Sequence, residues 1–257
     1  MNMEGLDPVI LAPALAAGIL VIATHVPLGQ QVLKRGIIFI DLAIAQIAGL
    51  GVLLAHSLGF EDSSLGIQLT AFGAALLGAF LLYQFERRWP ETLEAVIGTA
   101  FILAASAGIL LLANNPHGGE HLREQLVGQI LWVNIHQLLW PLLLYAVVLA
   151  VWYRFHAENK PALFYTLFAI TVTTSVQLVG VYLVFATLII PALAVRRLSK
   201  RSQSLLGGYL LGMVGFTSGL LLSAILDLPA GAVIVWTLAA FGLLVAFISK
   251  RAVSAAT

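Results

Sequence analysis

The chain contains no cysteine and little charge: 13 Lys or Arg and 12 Asp or Glu among 257 residues. Without cysteine there is neither a disulfide nor a thiolate metal ligand, which leaves imidazole, carboxylate and amide groups to hold an ion. A soluble domain carries about 25% charged residues; here the fraction is 10%, so most of the surface is built for lipid. The two signs nearly cancel to a net charge of +1, which gives no field to attract a nucleic acid. The chain lacks the Gly-x-x-x-x-Gly-Lys-Ser/Thr loop that cradles nucleotide phosphates. No paired carboxylates, nucleophile elbow or dinucleotide loop stands out, so an enzyme has no positive feature. The first ten residues hold Glu4 and Asp7 but no Lys or Arg, and so lack the basic start of a cleavable signal peptide. The first apolar segment is expected to be kept as a helix.

What the chain has in abundance is apolar length. At 1.5 Å per residue a helix needs roughly 20 apolar residues to cross the hydrocarbon layer. Candidate spans are 8–27, 36–58, 66–85, 92–113, 135–153, 206–226 and 230–249, together with a long apolar tract from 162 to 195. That tract either holds two short helices meeting near Gln177 to Gly180, or one span plus a re-entrant piece shielded from lipid. If the tract crosses twice and Lys34 and Arg35 are cytoplasmic, 12 of the 13 basic residues fall on the cytoplasmic side and only Arg123 lies outside. The expectation is therefore an all-α polytopic transmembrane helical bundle of about nine crossings, with eight as the weaker count. Its N-terminus lies outside and its C-terminus in the cytoplasm, and residues 1–257 form one transmembrane domain. The 23 glycines suit closely packed spans, and Gly215 and Gly219 form a Gly-x-x-x-Gly contact candidate. Tryptophans 89, 132, 140, 152 and 236 mostly fall at segment ends, as interfacial anchors do.

Asp41 is the first candidate functional residue, because a carboxylate inside an apolar span is costly and marks a pathway by default. The bland alternative is that it lies near the membrane surface and reaches water, or pairs with Lys34 or Arg35. Gln46, five residues on, is about 140° away round a regular helix and does not share its face. The segment Asn114 to Glu124 offers His117, Glu120 and His121, which are good borderline ligands for zinc, although a solvated loop would also contain such groups. Gly118 and Gly119 predict that the first half of this segment is a loop. Gln177, Thr174 and the neighbouring threonines in the long tract could line a polar route or satisfy one another. His25, His56, His136 and His156 lie near the expected span ends and read as hydrogen-bonded interface residues.

Several motifs, taken in order, resemble the integral-membrane permease subunit of metal-ion (zinc, manganese, iron) ABC importers. They are KRGIIFID with Lys34, Arg35, Phe39 and Asp41; EAVIG from Glu94 to Gly98; GQIL from Gly128 to Leu131; Val179 to Arg197 with its Ile-Pro-Ala; and SGLLLSAILDLPAG, which closes at Gly231. The resemblance implies a homodimeric permease that binds no cofactor of its own. It further implies an ATP-binding subunit on the cytoplasmic face, a metal-binding protein outside the membrane, and location in the bacterial inner membrane. Zinc is favoured as cargo over manganese or iron because the external candidates include histidines. Two departures stand out. The family's histidine four residues after the aspartate is replaced here by Ala45, and the link from Arg154 to Pro161 is shorter than the family's ATPase-docking segment. Rival readings are an ion-coupled secondary transporter and a non-transporting membrane scaffold.

Overall fold

The computed structural model describes residues 7–58, 64–112, 118–198 and 200–254. All regular structure among them is helical: α1 Pro8–Arg35, α2 Ile40–Ser57, α3 Ser64–Arg88, α4 Leu93–Leu112, α5 Gly118–Val127, α6 Leu139–Arg154, α7 Pro161–Val179, α8 Val181–Ala194, α9 Arg201–Leu226 and α10 Ala230–Ser254. Among the described residues seven helical segments are long and apolar enough to cross a membrane, and two more, α2 and α8, are apolar but shorter. This is the polytopic bundle of about nine substantial helices that the sequence predicts. Helix α4 shows what its environment must be: it buries Ile97 and Ala104 yet exposes Ile102, Leu103, Ile109 and Leu110. A helix that is apolar all round needs protein on one side and lipid on the other. Helices α1 and α3 end on the basic pairs Lys34–Arg35 and Arg87–Arg88, which suit the negative end of the helix dipole.

The chain divides into two compact units, one formed by residues 1–35, 127–145 and 178–257, the other by 36–126 and 146–177. In the first unit, α1 packs against α8 and α9, and α10 against α8 and α9. The buried positions Ala14, Ala17, Val21, His25, Leu28 and Val32 of α1 recur every three or four residues, which makes one continuous inner stripe. The apolar pattern predicts an end at residue 27, yet the helix continues to Arg35 with Pro27 inside it. Pro27 has no N–H to give to the carbonyl four residues earlier. That carbonyl, on Ala23, instead accepts a hydrogen bond from the Tyr209 hydroxyl of α9 at 3.1 Å, so the proline is accommodated. The Gly-x-x-x-Gly pair does form a helix contact: a Cβ on Gly219 would stand 2.6 Å from Ile234 Cα and one on Gly215 3.1 Å from Leu238 Cα. Thr237 adds a 2.7 Å hydrogen bond to the Gly215 carbonyl.

The long apolar tract is two helices, α7 and α8, broken at Gly180 (φ 81°, ψ 162°). This backbone region is open essentially to glycine alone. Gly128, also at positive φ (72°), meets it backbone to backbone: a Cβ on Gly128 would run into the Val179 carbonyl and one on Gly180 into the Gly128 amide. Helix α8 has 14 residues, about 21 Å at 1.5 Å each. That is shorter than the roughly 30 Å hydrocarbon core, and its shelter comes from protein, with Leu183, Val184 and Leu188 fully buried.

In the second unit, α2 packs against α3 and α4. Trp152 of α6 departs from the interfacial pattern: it is buried and packs edge-on against Phe164 of α7, ring centroids 6.2 Å apart. The other four tryptophans are exposed.

Candidate functional site

Helix α2 carries the first candidate. Its buried set, Ile40, Asp41, Ala43, Ile44, Ala45, Gln46 and Ala48, covers all faces of the helix, so both Asp41 and Gln46 are enclosed although they point about 140° apart. Asp41 is 1% exposed, and neither carboxylate oxygen has a hydrogen-bond partner among the described residues. Burial to this degree argues against the solvated alternative for Asp41. A buried ionised carboxylate without a partner costs several kcal/mol, and a cation brought alongside would recover part of that cost. Asp41 sits in the first turn of α2, where the free amides and the positive end of the dipole favour negative charge. One turn further on, Ala45 is buried and offers only a methyl group.

Glu94, in the first turn of α4, comes to the same end of α2, where the backbone amides of Ile38 and Phe39 reach its carboxylate. Sequence reasoning notes EAVIG as a motif but gives Glu94 no task. Its carboxylate thus lies at the start of α2, which has no side-chain cap of its own, although Oε2 has no hydrogen-bond partner among the described residues.

Helix α7 concentrates polarity. Thr171, Thr173, Thr174 and Ser175 are all buried. Thr174, Thr171 and Ser175 donate to carbonyls four residues back at 3.0, 2.8 and 2.8 Å, whereas Thr173 Oγ1 has no partner among the described residues. Gln177, near the end of α7, is exposed and accepts a 2.7 Å hydrogen bond from the Gln68 amide of α3. The threonines thus mostly satisfy the backbone of their own helix, and the glutamine pair is a polar contact between helices.

His117 lies outside the described residues, and of His121 only the backbone is described. Glu120 is exposed on the first turn of α5. The predicted loop at Gly118 and Gly119 is instead the start of that helix, which is seated on α2 where a Cβ on Gly49 would meet the Gln125 side chain. This tertiary contact and the acidic Glu120 in the first turn outweigh the poor helix propensity of two glycines, about 1 kcal/mol each. Gly49 is eight residues from Asp41, about 12 Å along the axis. No cluster of three or more potential metal ligands exists among the described residues.

His25 is also not at a span end. Because α1 runs to Arg35, His25 is fully buried, its Nδ1 donates to the Val21 carbonyl at 2.7 Å, and Nε2 has no partner among the described residues. The link between α6 and α7 holds only a short 3-10 turn, Ala157–Asn159, after the left-handed His156. It has no docking helix.

Residues 8–159 and 154–250 match the ABC 3 transport family. The chain belongs to that family. A "Probable metal transport system membrane protein" of Thermotoga maritima is 30% identical over 246 residues, covering 88% of this chain and 85% of that one. The "High-affinity zinc uptake system membrane protein ZnuB" of Haemophilus influenzae is 26% identical over 242 residues, 86% and 91% of the two chains. Among solved structures, "PsaBC from Streptococcus pneumoniae in complex with Fab" superposes over 100% of both chains with a TM-score of 0.80 at 22% identity, a likeness of fold. As a member of the ABC 3 transport family the chain is a multi-pass membrane permease subunit, not an enzyme, and the motifs that resembled the metal-ion ABC permeases are explained.

Proposed function

We propose that this chain, acting as a single permease domain, carries a divalent metal ion, zinc first, across the membrane into the cytoplasm. The observation that carries the reading is Asp41, a carboxylate enclosed on an apolar helix without a partner among the described residues, in a chain of the ABC 3 transport family. The zinc preference is supported by the Haemophilus relative, whose name states zinc uptake, and by the imidazole-containing set His117, Glu120 and His121.

In this reading the bundle crosses nine times, N-terminus outside and C-terminus in the cytoplasm, the arrangement that places 12 of 13 basic residues inside. Two copies form the permease. An ATP-binding subunit docks on the cytoplasmic face, and an extracytoplasmic metal-binding protein delivers the ion. Glu120, with His117 and His121, forms the receiving station, and Asp41 the station within the bundle. In this reading the ion is handed from the first station to the second. Gln46, Gln177 and Thr174 line the route. ATP binding and hydrolysis on the partner change the packing of the two copies, so that access alternates.

The test is zinc uptake into proteoliposomes holding this chain with its ATPase and external binding protein, with and without ATP and with manganese as competitor. ATP-dependent zinc accumulation that disappears in Asp41→Ala supports the reading. ATP hydrolysis without uptake of either metal refutes the metal cargo, and full uptake by Asp41→Ala removes Asp41 from the path.

A further inference from the structure

Beyond the transport path, the end of α8 in the first unit carries two adjoining cavities of opposite character. One, of about 540 Å³, is lined by Lys34 and Gln30 of α1, Arg196 and Arg197 after α8, and Arg201 and Ser204 at the start of α9, with no carboxylate among the described residues of its lining. The other, of about 490 Å³, is an apolar groove between α8 and α10 whose walls include Ile190, Ala246, Leu243 and Phe247. Arg196 and Arg197 line both. Leu243 and Phe247 are 63% and 66% exposed, so the groove opens outward along the length of α10.

We propose that this pair of cavities is a binding site for one anionic diacyl phospholipid, its phosphate among Arg196, Arg197 and Lys34 and an acyl chain in the α8–α10 groove. The polar half has the donors for a phosphate. Arginine forks match its oxygens, and Ser204, whose oxygen already accepts the Gln30 amide at 3.0 Å, has its O–H free to donate. The first turn of the 26-residue α9 adds the positive end of a dipole. Lys34, Arg196 and Arg197 meet no acidic side chain in this cavity among the described residues, so a phosphate finds uncompensated charge. The apolar half decides the kind of ligand. Free phosphate has no use for a groove walled by Leu243 and Phe247, and a water-soluble partner protein has no access to one that opens along a lipid-facing helix. An acyl chain fits both conditions. The site depends on membrane embedding and not on which ion is carried.

The experiment is native mass spectrometry of the detergent-purified chain after exchange with phosphatidylglycerol or phosphatidylcholine. The chain should retain phosphatidylglycerol preferentially, and the double substitution Arg196→Gln with Arg197→Gln should cut that preference roughly tenfold or more, since each basic group near a membrane surface is worth about 1 kcal/mol. Arg196→Lys with Arg197→Lys, which keeps both charges, should restore most of it and shows that the fold is intact. Ala246→Trp, which fills the groove and leaves every cation in place, should also lower retention. Equal retention of the two lipids overturns the proposal. So does displacement of the lipid by millimolar inorganic phosphate with Ala246→Trp silent, which would mark a free-phosphate site. Loss of ATPase-subunit association in the glutamine variant, with lipid retention unchanged, would mark a protein-docking surface and equally overturn it.

Discussion

Replacing Gly180 by alanine tests the junction on which α7 and α8 depend. At φ 81° and ψ 162° a residue with a Cβ sits in a region that costs about 1–3 kcal/mol. The added methyl would also stand 2.6 Å from the Val127 carbonyl carbon and 2.7 Å from Gly128 Cα, and overpacking of this kind costs a further 1–3 kcal/mol or so. The expected loss is therefore about 2–6 kcal/mol, large against the 5–15 kcal/mol by which proteins are typically stable. Two controls separate the terms. Gly36, at φ 70° with nothing within 4 Å of its would-be Cβ, isolates the backbone cost, about 1–2 kcal/mol as alanine. Gly98, inside α4 with open space around it, should gain about 0.5–1 kcal/mol. Thermal unfolding of the purified chains in detergent, followed by tryptophan fluorescence, should rank the midpoints Gly98→Ala at or above the parent, then Gly36→Ala, then Gly180→Ala. Gly128→Ala should fall as far as Gly180→Ala, and the double variant should lose less than the sum, because both clashes are relieved by one backbone displacement. A Gly180→Ala chain that melts with or above Gly36→Ala would refute the backbone contact as the source of the break.

Three further outcomes rest on single contacts. Tyr209→Phe leaves the Ala23 carbonyl without its donor and should cost about 1 kcal/mol in the same melts; in a Pro27→Ala background, where residue 27 regains an N–H for that carbonyl, the cost should shrink toward zero. Asp41→Ala should purify and melt at or above the parent, because an unpartnered buried carboxylate is removed, while ATP-dependent zinc uptake is lost; a lower midpoint would argue that Asp41 is structural. Gly219→Leu should force α9 from α10, where the Cβ has only 2.6 Å to Ile234 Cα, and lower the melting midpoint sharply. The control one turn on, Leu222→Ala at an exposed position of the same helix, should change it little, and equal losses in the two variants would argue against a tight α9–α10 contact.

The helices were legible because lipid imposes one rule on every span, roughly 20 apolar residues closed by polar or basic ends. Lys34, Arg87, Arg154 and Gly180 mark real termini or breaks. What escaped were features decided by residues far apart in sequence. The apolar run 8–27 stops at residue 27, yet the helix continues because Tyr209 of α9 takes the carbonyl that Pro27 frees, and the same short span puts His25 near its end when it is buried inside α1. Gly118 and Gly119 read as a loop until the Gln125–Gly49 contact seats the segment on α2. Asp41 was legible as an expensive residue, but its lack of a partner was not, because that depends on which helices enclose α2. Glu94 shows the same limit from the other side: its carboxylate was visible, and the amides of Ile38 and Phe39 that it serves were not. In each case the local pattern leaves an unmatched carbonyl, charge or amide, and only tertiary packing determines whether it finds a partner. Mismatches persist at His25 Nε2 and Thr173 Oγ1 as well, but Asp41 is a carboxylate with neither oxygen bonded among the described residues, which is why it is the residue on which the transport mechanism is argued.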